Sequence, residues 1–263
     1  MTIAFISHGG GPLPLLGDPG HQEMVEHLNY LAQIIQRPKE ILVISAHWES
    51  NTFTITSGAK PDIIYDYYGF PNESYQLQYP VSGSPDLASQ VHSAIKNQAL
   101  PATLDADRGF DHGLWVPLTL MYPNADIPCV QLSLHESLDP KLHWQLGKAL
   151  QDLNRPDRLI LGSGFSFHNM KGFFEQPSTK AMQDANSSFE TWLTETLLTK
   201  PLNAEEQQSR LFDWSSAPGA RMSHPREEHL IPLHVCFGAA QRSADEHFAV
   251  SILNRQSSTF LWH

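Results

Sequence analysis

Ile41-Leu-Val-Ile-Ser-Ala-His-Trp48 decides how the chain is read. Ile41 to Ile44 form an unbroken aliphatic run, the pattern of a strand covered on both faces in a parallel sheet. Ser45, Ala46 and His47 follow where such a strand should run out. Open α/β sheets place their ligand sites at the carboxyl ends of their strands. A histidine there is either a hydrogen-bonded structural residue or a site residue, since burying it unpaired costs free energy. Working back, Thr2 to Ser7 reads as a first strand, and it too ends in a histidine, in His8-Gly-Gly-Gly-Pro12. Between the two strands Met24, Val25, Leu28, Leu31 and Ile35 recur at helical spacing, which predicts an amphipathic crossover helix closed by Pro38. Strand, helix and strand in this order predict a parallel βαβ pair, with His8 and His47 at one end of the sheet. His21 and His27, on or beside the helix, read as solvated.

Composition narrows the function. The 263 residues suffice for a sizeable core, and no internal repeat, low-complexity stretch or linker divides them, so one domain over residues 1–263 is expected. A net charge of -11 argues against nucleic acid and acidic membrane surfaces as partners. No apolar run approaches the ~20 residues of a membrane span, and the first residues do not form a signal sequence, so a cytoplasmic protein is expected. Cys129 and Cys236 are too few for a cysteine-only zinc site and sit in apolar runs. Histidines number 14 against 17 Lys plus Arg. Histidine is the commonest metal ligand and the usual general base near neutral pH.

Further along, residues 61–85 are rich in Tyr, Pro and Gly, as in a pocket wall, a dimer contact or a packed loop. Asp111-His112-Gly113 opens an apolar helix-like run, and is either an oriented site residue or a capping turn. Ile127 to Leu134 and Leu159 to Leu161 read as buried strands. The second of these leads through Gly162-Ser-Gly into His168-Asn169, again a histidine beyond a strand end. Helices are expected from Ser84-Pro85, from Asp139-Pro140, over 178–200 and over 205–214. Pro225 suits the first turn of another, which would place Glu228 and His229 early in it and His234 further along. Phe248 to Leu253 and Ser258 to Trp262 read as closing strands. Histidines gathered at one crevice would repel if charged, and a divalent cation resolves this by binding them neutral. Imidazole donors suit iron(II) or zinc.

Taken together, Ser7-His-Gly-Gly-Gly-Pro, Ser45-Ala-His-Trp, Asp111-His-Gly-Leu-Trp-Val-Pro-Leu, the turn into His168-Asn and Glu228-His-Leu-Ile-Pro-Leu resemble the class III extradiol ring-cleavage dioxygenases, in particular the 4,5-DOPA dioxygenase extradiol group. The motifs span nearly the whole chain in the family's order. The resemblance implies a three-layer α/β/α sandwich around a mostly parallel mixed sheet, related to phosphorylase/hydrolase-like folds. It implies a mononuclear metal held by His8, His47 and His229, with Glu228 as the second choice for the third ligand. Iron(II) is expected for activity, and zinc(II) suits the same three-histidine site. His168 would act as acid/base or as a fourth ligand, and His112 would hydrogen-bond substrate or oxygen. The substrate would be a catechol of the DOPA kind, cleaved with O2. Arg108 and Arg221 are candidates for meeting a substrate carboxylate. A homodimer is the default expectation. Two rival readings are a zinc-dependent hydrolase using metal-bound water and a non-enzymatic interaction relative, which would be expected to lose a site histidine, whereas all five are present here.

Overall fold

Strands form where aliphatic and β-branched residues run together, and the computed structural model, which describes residues 1–174, 178–198 and 202–263, sets eight of them side by side. They are β1 (Thr2–Ser7), β2 (Glu40–Ser50), β3 (Phe53–Thr56), β4 (Ala102–Asp105), β5 (Cys129–His135), β6 (Arg158–Gly164), β7 (Glu246–Ile252) and β8 (Arg255–Trp262). The order is β4-β3-β5-β2-β6-β1-β8-β7. β5, β2, β6 and β1 run parallel, whereas β3 meets β5 and β8 meets β1 and β7 antiparallel. The sheet is therefore mixed with a parallel centre, as expected.

Alternate residues of the central strands face opposite sides, so each face carries its own core. Ile3, Phe5, Leu42 and Ile44 pack one way, with α2 (Pro85–Asn97), α4 (Pro140–Ala149), α6 (Lys180–Leu198), α7 (Ala204–Phe212) and α9 (Ile231–Ala240). Ala4, Ile6, Ile41 and Val43 pack the other way, against α1 (Gln22–Ile34), α3 (His112–Met121) and α5 (Met170–Phe174). Helices on both faces make three layers. Short α8 (Ala220–Ser223) precedes the turn that carries His229. Cys129 and Cys236 are buried within these cores.

Several expectations change. β1 and β2 share a direction but do not pair, because β6 lies between them. β2 does not stop at Ile44: it runs to Ser50 through an irregularity between Ile44 and Glu49, and His47 sits inside that interruption. Such bulges re-aim side chains near sites. No helix starts at Pro225. α9 begins at Ile231 with Pro232 in its first turn, so His229 stands on the preceding turn. His21 is fully buried, not solvated. The expected end of α6 at Lys200 lies outside the described residues, and the half-exposed β4 gave no readable alternation.

Glu190 on α6 is buried, has no cationic partner among the described residues, and accepts hydrogen bonds from Ser166 Oγ (2.7 Å) and Ser258 Oγ (2.5 Å). Burial pushes its pKa up to about 7. A folded-state pKa above the unfolded one means that the native state holds its proton more tightly. The stability linked to that proton is complete below about pH 4.5 and lost as pH rises to about 7. Glu190→Gln should remove this loss, so that urea denaturation at pH 8 finds the variant more stable than wild type by about 2–3 kcal/mol, with the gap closing toward pH 4.5. An equal gap at both pH values would refute the assignment.

Candidate metal and substrate site

The carboxyl ends of β2, β6 and β1 lie side by side, and five histidines meet above them. His8 follows β1 directly, its N–H donating to Gly164 O at 3.2 Å. The turn after it is fixed by a tether: Gly10 N–H donates to His21 Nε2 (2.9 Å), and His21 Nδ1 contacts Asp18 Oδ2 (2.7 Å). Gly9 has φ +87° and a Cβ there would lie 2.5 Å from Pro14 Cγ, so glycine is required. His47 is aimed by Ser45, whose Oγ accepts the His47 N–H (3.2 Å) and donates to Asp111 Oδ1 (2.7 Å). Asp111 caps α3 through Gly113 N–H (3.1 Å), setting His112 in the first turn. His229 is docked by its own carbonyl, which accepts Phe165 N–H at 2.9 Å. A Cβ on Gly164 would collide with that carbonyl. His168 N–H donates to Ser223 O (2.9 Å).

The rings converge through one edge. His8 Nε2 and His47 Nε2 are 2.9 Å apart, and His47 Nε2 and His229 Nε2 are 3.3 Å apart. Their outer edges decide the tautomers. Ser163 Oγ spends its proton on Gly113 O, so it accepts from His8 Nδ1 (3.0 Å). His229 Nδ1 faces Glu228 Oε1 (2.9 Å), and His47 Nδ1 faces Asp66 Oδ2 (3.6 Å). The Ser163 and Glu228 contacts place a proton on Nδ1 of His8 and of His229, so that their Nε2 lone pairs face His47 Nε2. Burial, and then His47 and His229, push the His8 pKa well below its ordinary value. Burial and His112 do the same to His47, and burial and His168 to His229. Three neutral imidazoles with facing lone pairs repel unless a cation sits among them. Metal bonds of roughly 2.1 Å separate neighbouring nitrogens by about 3.0–3.4 Å in tetrahedral or octahedral geometry, which matches.

Two carboxylates serve the outer edges. Glu228 Oε1 also faces His168 Nδ1 (3.2 Å), while its Oε2 faces Arg226 (3.4 Å). Burial would raise the Glu228 pKa, but the His168 hydrogen bond, a backbone hydrogen bond and the charges of His168 and Arg226 together hold it low. The His168 and His229 rings stack at 3.4 Å, with both Nδ1 atoms toward Glu228. Asp66 accepts His112 N–H (2.9 Å) and contacts His112 Nδ1 (2.9 Å). Its pKa is likewise lowered, burial being outweighed by His112 and His47 together. A cavity of about 500 Å³ opens over this cluster, walled by Tyr67, Phe70, Phe165 and Phe173. The Tyr-rich loop is therefore a pocket wall. Arg108 lies over Trp48 and pairs with Asp111, and Arg221 pairs with Glu227, so neither lines the cavity. His224 is buried against Ser166 O and does not line the cavity. His234 is structural, bonded to Leu211 O.

The motifs singled out all five histidines but not Asp66, Ser163 or the Asp18–His21 tether. Asp66 sits among tyrosines in a segment without periodicity, and only its place in that loop could have flagged it.

With this geometry in hand, comparison with known proteins is decisive. The family model described as "Catalytic LigB subunit of aromatic ring-opening dioxygenase" matches residues 3–260. "Dioxygenase tasH" of Hapsidospora irregularis is 39% identical, with 99% of this chain and 85% of that protein covered. "4,5-DOPA dioxygenase extradiol" of Beta vulgaris is 38% identical over 90% of this chain and 85% of its own. The crystal structure of an uncharacterized Escherichia coli K12 protein superposes with a TM-score of 0.77 at 26% identity, covering 100% of both chains. Fold and relatives together define an oxidoreductase of the dioxygenase class, which takes a small-molecule substrate and O2. The chain belongs to the LigB family of aromatic ring-opening dioxygenases. That membership disfavours the hydrolase and interaction-module readings. No helix among the described residues is long and apolar enough to cross a membrane.

Asp66→Asn removes the charge facing both His47 and His112. Chelator competition should find metal affinity lowered by about 10- to 100-fold, the usual effect of losing such a partner. Unchanged affinity would mean that Asp66 does not orient His47.

Proposed function

We propose that the whole chain is one catalytic domain that opens a catechol ring beside its diol, using O2 and a single metal ion held by His8, His47 and His229. The observation that supports this reading is the meeting of three Nε2 lone pairs, each ring fixed from behind by Ser163, Asp66 or Glu228. Iron(II) suits this imidazole set when coordination positions stay open, and zinc(II) fits the same donors. Bound iron would supply a chelation point for the diol and a means of engaging O2.

The chain's own residues do the rest. His168 holds a proton on Nδ1 against Glu228, which leaves Nε2 free to take a proton from the diol. Glu228 balances the charge that His168 then gains. His112, set by Asp66, stands where it would hydrogen-bond the substrate beside the metal ligands. Phe165 and Phe173 keep water from the cluster. The overall change balances without another reactant: catechol plus O2 gives a muconic semialdehyde carrying both oxygen atoms, the electrons coming from the broken ring bond. The names of the plant relatives point to DOPA as one candidate diol.

After anaerobic reconstitution with iron(II), oxygen uptake is expected with catechols. His47→Ala should bind no stoichiometric metal. His168→Ala should keep its metal while turnover falls about a hundredfold to ten-thousandfold. Full metal retention in the first variant, or full turnover in the second, would contradict the roles proposed.

A further inference from the structure

The pocket that holds the five histidines has an apolar mouth and, among the described residues, no Lys or Arg in its lining. The three most exposed large hydrophobic side chains among the described residues are Tyr68 (91%), Phe174 (65%) and Met170 (55%), and all three line this pocket. Soluble proteins rarely expose apolar side chains in a group without a use for them. Met170 and Phe174 stand at the two ends of α5, four residues apart and so on one helix face. Phe173 is buried beneath them and Phe70 stands on the Tyr-rich loop with Tyr68. Leu13 and Leu253 complete the apolar lining.

Charge points the same way. Among the described residues, no Lys or Arg lines the pocket, and Asp66 is its one carboxylate. The nearby guanidiniums are engaged elsewhere: Arg226 with both oxygens of Glu49 at 2.6 Å, Arg108 with Asp111 and Arg221 with Glu227. Lys171 is on α5 but is not part of the lining. A substrate carboxylate entering here would be desolvated without a partner, beside a like charge. A volume of about 500 Å³ also leaves room beyond one six-membered ring.

Building on the ring-cleavage reading, we propose that the substrate is a catechol carrying an uncharged, apolar substituent, with the diol at the histidines and the substituent between Tyr68 and the Met170–Phe174 face. Catechols with a carboxylate side arm, DOPA included, are then poor ligands of this chain.

Two isosteric probes test this: isopentylcatechol and dihydroxyphenylpropionate. Anaerobic equilibrium binding to the iron(II)-loaded protein is measured first, then oxygen uptake. The isopentyl compound should bind at least about tenfold more tightly, from burial of its methyl and methylene groups. Phe174→Arg, at an exposed position, should shrink or reverse that ratio while leaving the melting temperature in place. Equal or tighter binding of the carboxylate by the wild type, or no binding of either probe, would overturn the proposal. So would an unchanged ratio in Phe174→Arg accompanied by a changed oligomeric state, since the rim would then belong to a subunit contact. If the preference holds in binding but neither probe consumes oxygen, the pocket assignment stands and the ring-cleavage reading fails.

Discussion

Three imidazole lone pairs pointed at one another form the constraint on which this molecule turns. His47 Nε2 lies 2.9 Å from His8 Nε2 and 3.3 Å from His229 Nε2, and the opposite nitrogens of His8 and His229 are held by acceptors that fix their protons. Neutral rings in that arrangement are electrostatically frustrated, and charged rings would be worse in so buried a place. A cation converts the frustration into binding free energy.

The sheet explains how residues so distant in sequence come to meet. β6 enters between β1 and β2, bringing three parallel carboxyl ends together. The break in β2 turns His47 toward His8, and the glycine at 164 lets the His229 turn lie directly on the end of β6. α3 supplies His112 through a buried Asp111 that also steers Ser45, so two of the histidines share one anchoring carboxylate. Outside that ring of polar contacts the walls are aromatic, which raises the strength of every electrostatic interaction within.

Much of this was legible in the residues. Aliphatic runs located β1, β2, β5 and β6 because fully buried parallel strands carry a strong signal. The histidines after them stood out because ligand sites favour strand ends. The order of the strands was not legible, since the insertion of β6 is a pairing across more than a hundred residues that local patterning does not encode. Pro225 suits a first turn and so points to a helix that includes His229, whereas the helix starts at Ile231 with Pro232 in its first turn and the apolar run to Ala240 packed in the core. Asp66 and Ser163 escaped notice for a related reason: they act on the far edges of rings, and such partners become visible only when the rings are oriented. That no Lys or Arg among the described residues lines the pocket was half visible, in the absence of a basic cluster, but only the structure shows Arg108 and Arg221 engaged elsewhere.

Diffraction from iron(II)-loaded crystals grown without oxygen, recorded at the iron absorption edge, addresses the central claim directly. One anomalous peak within bonding distance of the Nε2 atoms of His8, His47 and His229 is predicted. A peak bound instead through Asp66 or Glu228 without all three imidazoles, or the absence of any peak at this cluster, would contradict it.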